Sequence, residues 1–180
     1  MTDAFVFLID TLFNLYLMVV LLRLWLQSTR ADFYNPLSQF VVKATNPLLL
    51  PLRRFIPSIG ALDTASLVLA LLVATAKLMT LQLLAGSISV QLTLVGALAL
   101  LVAEAFNLVF WVVIIRAIMS WFSQGRNPME HLLSQLTEPL LSPIRKIIPP
   151  IGGLDLSVLV LLVGMQFLQI LLKGLLSGLL

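Results

Sequence analysis

A chain of 180 residues with 60% apolar residues, 11% charged residues and a mean hydropathy of +1.08 lies far outside the soluble range, where about a quarter of residues are charged. Leucine alone fills 45 positions, and a soluble domain of this size has no interior large enough to hide that much hydrocarbon. The composition implies a membrane protein and excludes a soluble enzyme, a DNA-binding domain and a disordered tail.

The first apolar run, about 4–27, is interrupted only by Asp10, Asn14 and Arg23. A hydrocarbon core of about 30 Å takes roughly 20 helical residues, so this run predicts a span. The opening Met1-Thr2-Asp3-Ala4 has no basic flank, so the run is expected to be a retained span and not a cleaved signal. In the following segment, Asn35-Pro36 reads as a helix cap and first helical residue. Leu37, Phe40, Val41 and Ala44 then fall at i, i+3, i+4 and i+7. This predicts a short amphipathic helix between Pro36 and Pro47, lying in the membrane interface. Pro47, Pro51 and Pro57 next forbid one regular helix, and Arg53-Arg54 sits among them as a candidate site for anionic headgroups or a partner. Gly60 permits a turn, and Asp63 is a candidate cap for the second span, about 64–85, which contains Lys77.

The third run, 88–122, holds Glu104, Asn107 and Arg116. It is too long for one upright span and too short for two with a turn, so one long tilted or projecting helix is expected. The segment 123–155 carries Asn127-Pro128, then Met129, Leu132, Leu133 and Leu136 at the same helical spacing. Pro139, Pro143, Pro149, the basic pair Arg145-Lys146, Gly152 and Asp155 follow. The fourth span, about 156–177, contains Gln166, Gln169 and Lys173, and Gly164, Gly174 and Gly178 are candidate helix-packing positions.

Seven of the 11 basic residues lie in the two long connections: Arg30, Lys43, Arg53 and Arg54 in one, Arg126, Arg145 and Lys146 in the other. With four spans both connections face the same side, so the positive-inside rule puts them in the cytoplasm and both termini outside. The +3 net charge and pI near 9.7 then reflect topology, and no nucleic-acid partner is implied.

Internal similarity is the strongest signal. Shifted by 92 residues, 35–63 matches 127–155 at 14 of 29 positions, and Pro, Gly, Arg and Asp carry the match. The chain therefore reads as an all-α membrane protein of four transmembrane helices in two parallel two-span repeats, each with a cytoplasmic interfacial, Pro-rich connection. The repeats are placed at 1–85 and 98–180, with 86–97 an outward extension of the third span. The charges within spans suggest two neutral layers: Asp10, Glu104, Lys77 and Lys173 near the outer ends, and Arg23, Arg116, Asp63 and Asp155 near the inner ends.

With no Cys and one His, neither a thiolate site nor an all-imidazole metal site is available, and no cofactor is expected. His131 matches Gln39 in the other repeat and reads as a solvated or interfacial polar residue. No nucleophile–base–acid constellation or phosphate loop stands out, so no enzymatic activity is expected.

The runs Asp-Phe-Tyr-Asn-Pro (32–36), Pro-Leu-Arg-Arg (51–54) and Ser-Trp-Phe-Ser-Gln-Gly-Arg-Asn-Pro (120–128), with the two Ile-Gly-x-Leu-Asp runs, resemble the YggT family of bacterial integral membrane proteins. The resemblance covers nearly the whole chain. It implies an inner-membrane location, no established enzymatic activity, and roles in osmotic-stress tolerance and potassium uptake or in division and nucleoid distribution; chloroplast relatives assist haem attachment to cytochrome b6. The expected function is a scaffold or assembly factor acting on a membrane or cytoplasmic protein, with room for a homo-oligomer. A component of potassium uptake is the alternative.

Overall fold

A computed structural model describes residues 2–60, 62–86, 89–122, 127–148 and 155–177. Six helices follow in chain order: α1 (Thr2–Ser28), α2 (Pro36–Arg53), α3 (Thr64–Leu84), α4 (Val90–Phe122), α5 (Pro128–Ile147) and α6 (Leu156–Ser177). Four of them, α1, α3, α4 and α6, are long and apolar enough to cross a membrane. The third apolar run is one unbroken helix of 33 residues, about 50 Å at 1.5 Å per residue. Among the described residues no strand forms beyond one isolated bridge, between Ile59 and Leu62. Gly60, at φ +62°, supplies the left-handed backbone that turn needs.

The helix ends follow from local chemistry. Asn35 and Asn127 each cap the helix that follows, accepting from the backbone N–H of Leu37 and of Met129, both at 2.9 Å. At the other end of α1, Ala31 N–H donates to Leu26 O at 3.0 Å and Arg30 N–H to Gln27 O at 3.2 Å. This is the Schellman pattern, with Arg30 at φ 52° where glycine is usual.

The prolines correct the expected helix break. α2 runs through Pro47 and Pro51, and α5 through Pro139 and Pro143. Each pair is spaced by four, so both rings lie on one side of the helix, and all four prolines are exposed. The carbonyls they leave unpaired belong to Lys43, Pro47, Gln135 and Pro139, which are exposed or half-buried and so can bond to solvent or headgroups. The opposite side of each helix is packed. Val41, Thr45 and Leu49 are buried, and so are their repeat counterparts Leu133, Thr137 and Leu141. The buried side of α2 is thus rotated from the expected one: Ser38 and Thr45 are inside, while Phe40 stands 59% exposed.

One apolar cluster joins α1 to α5, drawing on Leu17 and Val20, Val41 and Leu49, Leu69 and Val73, Leu108 and Val112, and Leu132 and Leu136. It includes no described residue of α6. The repeats also meet at the starts of α2 and α5. There the Asn35 amide donates to Pro128 O at 3.1 Å, and Asp32 N–H donates to the Gln135 side chain at 3.0 Å.

The two repeats pack differently, and the sequence explains why. α3 buries Ala65, Ser66, Ala70 and Ala74 completely, along the face whose Lys77 reaches α1. Small side chains let the two backbones approach closely. The matching positions in α6 are Ser157, Val158, Leu162 and Gln166. The larger three hold α6 away from α4, and a cleft of about 820 Å³ lies between them, lined by Val158, Leu162 and Gln166 themselves. Gly164 and Gly174 do not mediate close packing within the chain, because a Cβ on either would meet no atom within 4 Å. Gly178, Pro149 and Gly152 lie outside the described residues. Close approach instead occurs at Gly96, where an added Cβ would sit 3.1 Å from Leu78 Cδ1.

Candidate functional site

Two charged clusters lie at the end of the bundle that carries α2 and α5. In the first, the Asp63 carboxylate, 0% exposed, accepts from Arg53 Nη2 and from the Ser66 hydroxyl, both at 2.5 Å. Arg53 Nη2 also donates to Gln27 at 2.9 Å. Arg23, only 6% exposed, stands beside them with its guanidinium 6.0 Å from the Phe33 ring centre, the outer limit of a cation–π contact. In the second cluster, Asp155 accepts from Arg145 Nη2 at 2.6 Å and Nε at 2.9 Å. Arg145 Nη1 donates to Glu138 at 2.7 Å. Arg116 donates to the same Glu138 at 3.2 Å and to the hydroxyls of Thr137 and Ser134.

This rearranges the expected inner layer. Asp63 and Asp155 are held by Arg53 and Arg145, ten residues upstream in each repeat, and not by Arg23 and Arg116. Burial would raise the Asp63 carboxyl, but the hydrogen bonds from Arg53 and Ser66 outweigh it and hold it below the usual carboxylate range. Asp155 shows the same balance, with Ser157 and Arg145 lowering it, and the Asp155 hydrogen bond raises the Arg145 guanidinium. As helix caps the two acids differ. Asp155 accepts from Ser157 N–H at 3.1 Å at the start of α6, whereas Asp63 makes no side-chain cap hydrogen bond to α3. Arg53 and Arg145 are therefore engaged within the chain. Arg54 and Lys146, next to them, stay exposed.

At the far end, Lys77 is 5% exposed and donates to Asp10 at 2.8 Å and to Asn14 at 2.5 Å. Asn14 in turn donates to Asp10 at 3.0 Å, closing a triad between α1 and α3. Among the described residues the other expected outer charges, Glu104 and Lys173, form no ion pair. Glu104 accepts only a long 3.4 Å bond from Asn107, and it lines a cavity of about 260 Å³ together with Gln169 and Lys173. Among the described residues no group of three His, Asp or Glu side chains is placed to hold a metal ion. His131 is exposed beside Gln135, at 3.1 Å.

Sequence reasoning passed over Glu138, Ser66, Gln27, Ser134 and Thr137. Thr137 was within reach, since Thr45 and Thr137 are identical in the repeat. Glu138 was hidden for the opposite reason: its counterpart is Asn46, and a search for identities discards such a position.

Comparison with known proteins gives the family. The CCB3/YggT family model matches residues 2–84 and again 95–176. The chain belongs to the CCB3/YggT family. It is similar to a protein encoded in the proC 3′ region of Vibrio alginolyticus, 57% identical over 165 residues, which covers 89% of each chain. It is 45% identical to YggT of Escherichia coli K12 over 159 residues, covering 88% of this chain and 84% of that protein. A shorter likeness, 38% over 51 residues, joins it to the chloroplastic YlmG homolog protein 2 of Arabidopsis thaliana. No solved structure matches.

Proposed function

We propose that this YggT-family chain is a non-enzymatic scaffold or assembly factor of the bacterial inner membrane. In this reading both basic connections lie in the cytoplasm and both termini outside, the orientation that places seven basic residues on one side. One repeated feature carries the reading. At the ends of α2 and α5, the neighbouring pairs Arg54-Phe55 and Lys146-Ile147 are exposed, with Phe55 at 84% and Ile147 at 81%. A cation beside a bare apolar side chain, presented twice on helices bonded to each other, suits an anionic membrane surface or an acidic, partly apolar protein segment.

A photo-crosslinking residue at position 54 or 146 in living cells tests this. The same membrane or cytoplasmic protein captured from both positions supports the scaffold, and lipid alone at both rejects it. The second reading, a component of potassium uptake under osmotic stress, draws on the Asp10–Asn14–Lys77 triad between α1 and α3, in which Lys77 is buried and Asp10 is partly exposed. Potassium flux into liposomes holding the purified chain, abolished by Lys77→Met, would favour that reading over the scaffold.

A further inference from the structure

The two clusters at the α2/α5 end differ by one charge. The second contains Arg116 and Arg145 against Glu138 and Asp155, and is neutral. The first contains Arg23 and Arg53 against Asp63 alone, and is left with one positive charge. The other repeat shows what the first lacks. Arg116 bonds to Ser134, Thr137 and Glu138, and the equivalents of these three are Val42, Thr45 and Asn46. Thr45 and Thr137 both donate to their own helix, to Val41 O and to Leu133 O at 2.7 Å, so what the first repeat lacks is the Ser134 hydroxyl and the Glu138 carboxylate.

Arg23 is thus 94% buried, and its Nε and Nη1 and the Nε of Arg53 are buried donors without a partner; Asp63 Oδ1 is a buried acceptor without one, which calls for a donor and not for an anion. Two buried guanidinium groups sharing one carboxylate are costly, and an anion supplies both the missing charge and an acceptor for their free donors.

We propose that this cluster is a binding site for a phosphate group, held by Arg23 and Arg53 in place of the carboxylate that Glu138 provides in the other repeat. The position suits the phosphodiester of a membrane phospholipid. Arg23 lies five residues from the end of α1, about 7–8 Å along the helix axis, which is the depth of the headgroup layer. On α1, Tyr16 is seven residues before Arg23, and on α3, Val73 is seven after Ser66, so each pair shares a helix face. Tyr16 and Val73 line an apolar groove of about 630 Å³ between α1, α2 and α3, together with Leu48, Leu52 and Leu69. Neither Arg23 nor Arg53 lines this groove, but it lies about two turns along the same faces of α1 and α3, so a lipid held by its phosphate at Arg23 would have an apolar surface within reach of an acyl chain.

This inference uses the membrane placement proposed above, but the free-phosphate arm of its test needs no bilayer, so the two ideas fail separately. The purified full chain is delipidated in detergent and its thermal midpoint followed with phosphatidylglycerol, with diacylglycerol as the phosphate-free lipid, and with inorganic phosphate. Phosphatidylglycerol, but not diacylglycerol, raises the midpoint of the wild type. A matching rise with inorganic phosphate would identify a free anion as sufficient, and its absence assigns the site to the lipid. Asn46→Glu installs the missing acid, so it raises the unliganded midpoint and weakens phosphatidylglycerol binding about ten- to hundred-fold. Arg23→Gln weakens binding similarly. Should Arg23→Gln fail to fold, Asn46→Glu decides alone. No difference between phosphatidylglycerol and diacylglycerol with no response to phosphate, or undiminished binding to Asn46→Glu, overturns the proposal and leaves water as the filler of the site.

Discussion

Replacing Asp63 by Asn removes the acid from a pair whose carboxylate is completely buried and leaves Arg53 facing a neutral amide. Two charges about 4 Å apart attract by about 4 kcal/mol at an effective dielectric constant of about 20. The Arg53 side chain is 32% exposed, which trims that value, and breaking buried pairs generally costs about 3–5 kcal/mol. No second acid stands in this cluster, so Arg23 loses its compensation as well. A loss of about 3–4 kcal/mol is expected. Asp155→Asn is the internal control. The Asp155 side chain is 33% exposed, Arg145 keeps Glu138 at 2.7 Å, and Asn caps α6 as well as Asp does. That loss should be about 1 kcal/mol. Equilibrium unfolding of the full chain in mixed micelles, followed by helical circular dichroism, reads both. A gap of about 2–3 kcal/mol with Asp63→Asn the worse is expected; equal losses, or the reverse order, would refute the idea that the first cluster depends on a single acid.

Arg30→Gly relieves a left-handed residue costing about 1–2 kcal/mol and gives back about 0.5–1 in chain entropy, so the same unfolding assay should show a net gain of about 0.5–1 kcal/mol. Asp10→Leu alone leaves Lys77 buried without its acid and should lower the amount of folded protein in membranes, whereas Asp10→Leu with Lys77→Leu restores it, as seen by quantitative blotting. Because the folded carboxyls of Asp63 and Asp155 are lowered, the stability they give is present above their unfolded value of about 3.9 and is lost as pH falls through the folded values. The thermal midpoint should therefore be flat above about pH 5 and drop below about pH 4, with a shallower drop in the doubly Asn-substituted chain. Ala70→Leu should cost about 1–3 kcal/mol by overpacking α3 on its neighbours, and Leu162→Ala should cost less than an ordinary core truncation because it borders an open cleft.

The spans were legible because length and apolarity alone decide them: runs at 4–27, 64–85, 88–122 and 156–177 became helices at 2–28, 64–84, 90–122 and 156–177. Asn35 and Asn127 were legible as caps because the side chain, the Pro and the apolar run all pointed the same way. The helical course of Pro47 and Pro51 was not, since proline's local penalty is visible in sequence while its relief depends on the exposure of Lys43 and Pro47 carbonyls, a tertiary fact. Ion-pair partners were half legible. Depth arguments put Arg23, Arg116, Asp63 and Asp155 in one neutral layer, but a guanidinium pairs with whichever acid its own rotamer reaches, and Arg53 and Arg145 reach the two acids. Of the outer charges, Asp10 and Lys77 come together between α1 and α3, where Asn14 bridges them.

Duplication accounts for what the two halves share, and three substitutions account for how they part. Ser66, Ala70 and Ala74 against Val158, Leu162 and Gln166 decide whether the second span lies tight on the first or stands off from it. Tight packing in the first repeat buries Arg23 and Asp63, and that burial makes a missing carboxylate expensive. The looser second repeat leaves Arg116, Arg145 and Asp155 bordering the 820 Å³ cleft, where solvent or headgroups can share their charge. Yet it is the open cluster that retains Glu138 and the closed one that has Asn46. If the acids served stability alone, the buried cluster would be the one to keep both. The reversed arrangement fits the proposal that the charge left at Arg23 serves something the first repeat binds, and it sets that closed cluster apart from α6, which contributes no described residue to the shared core.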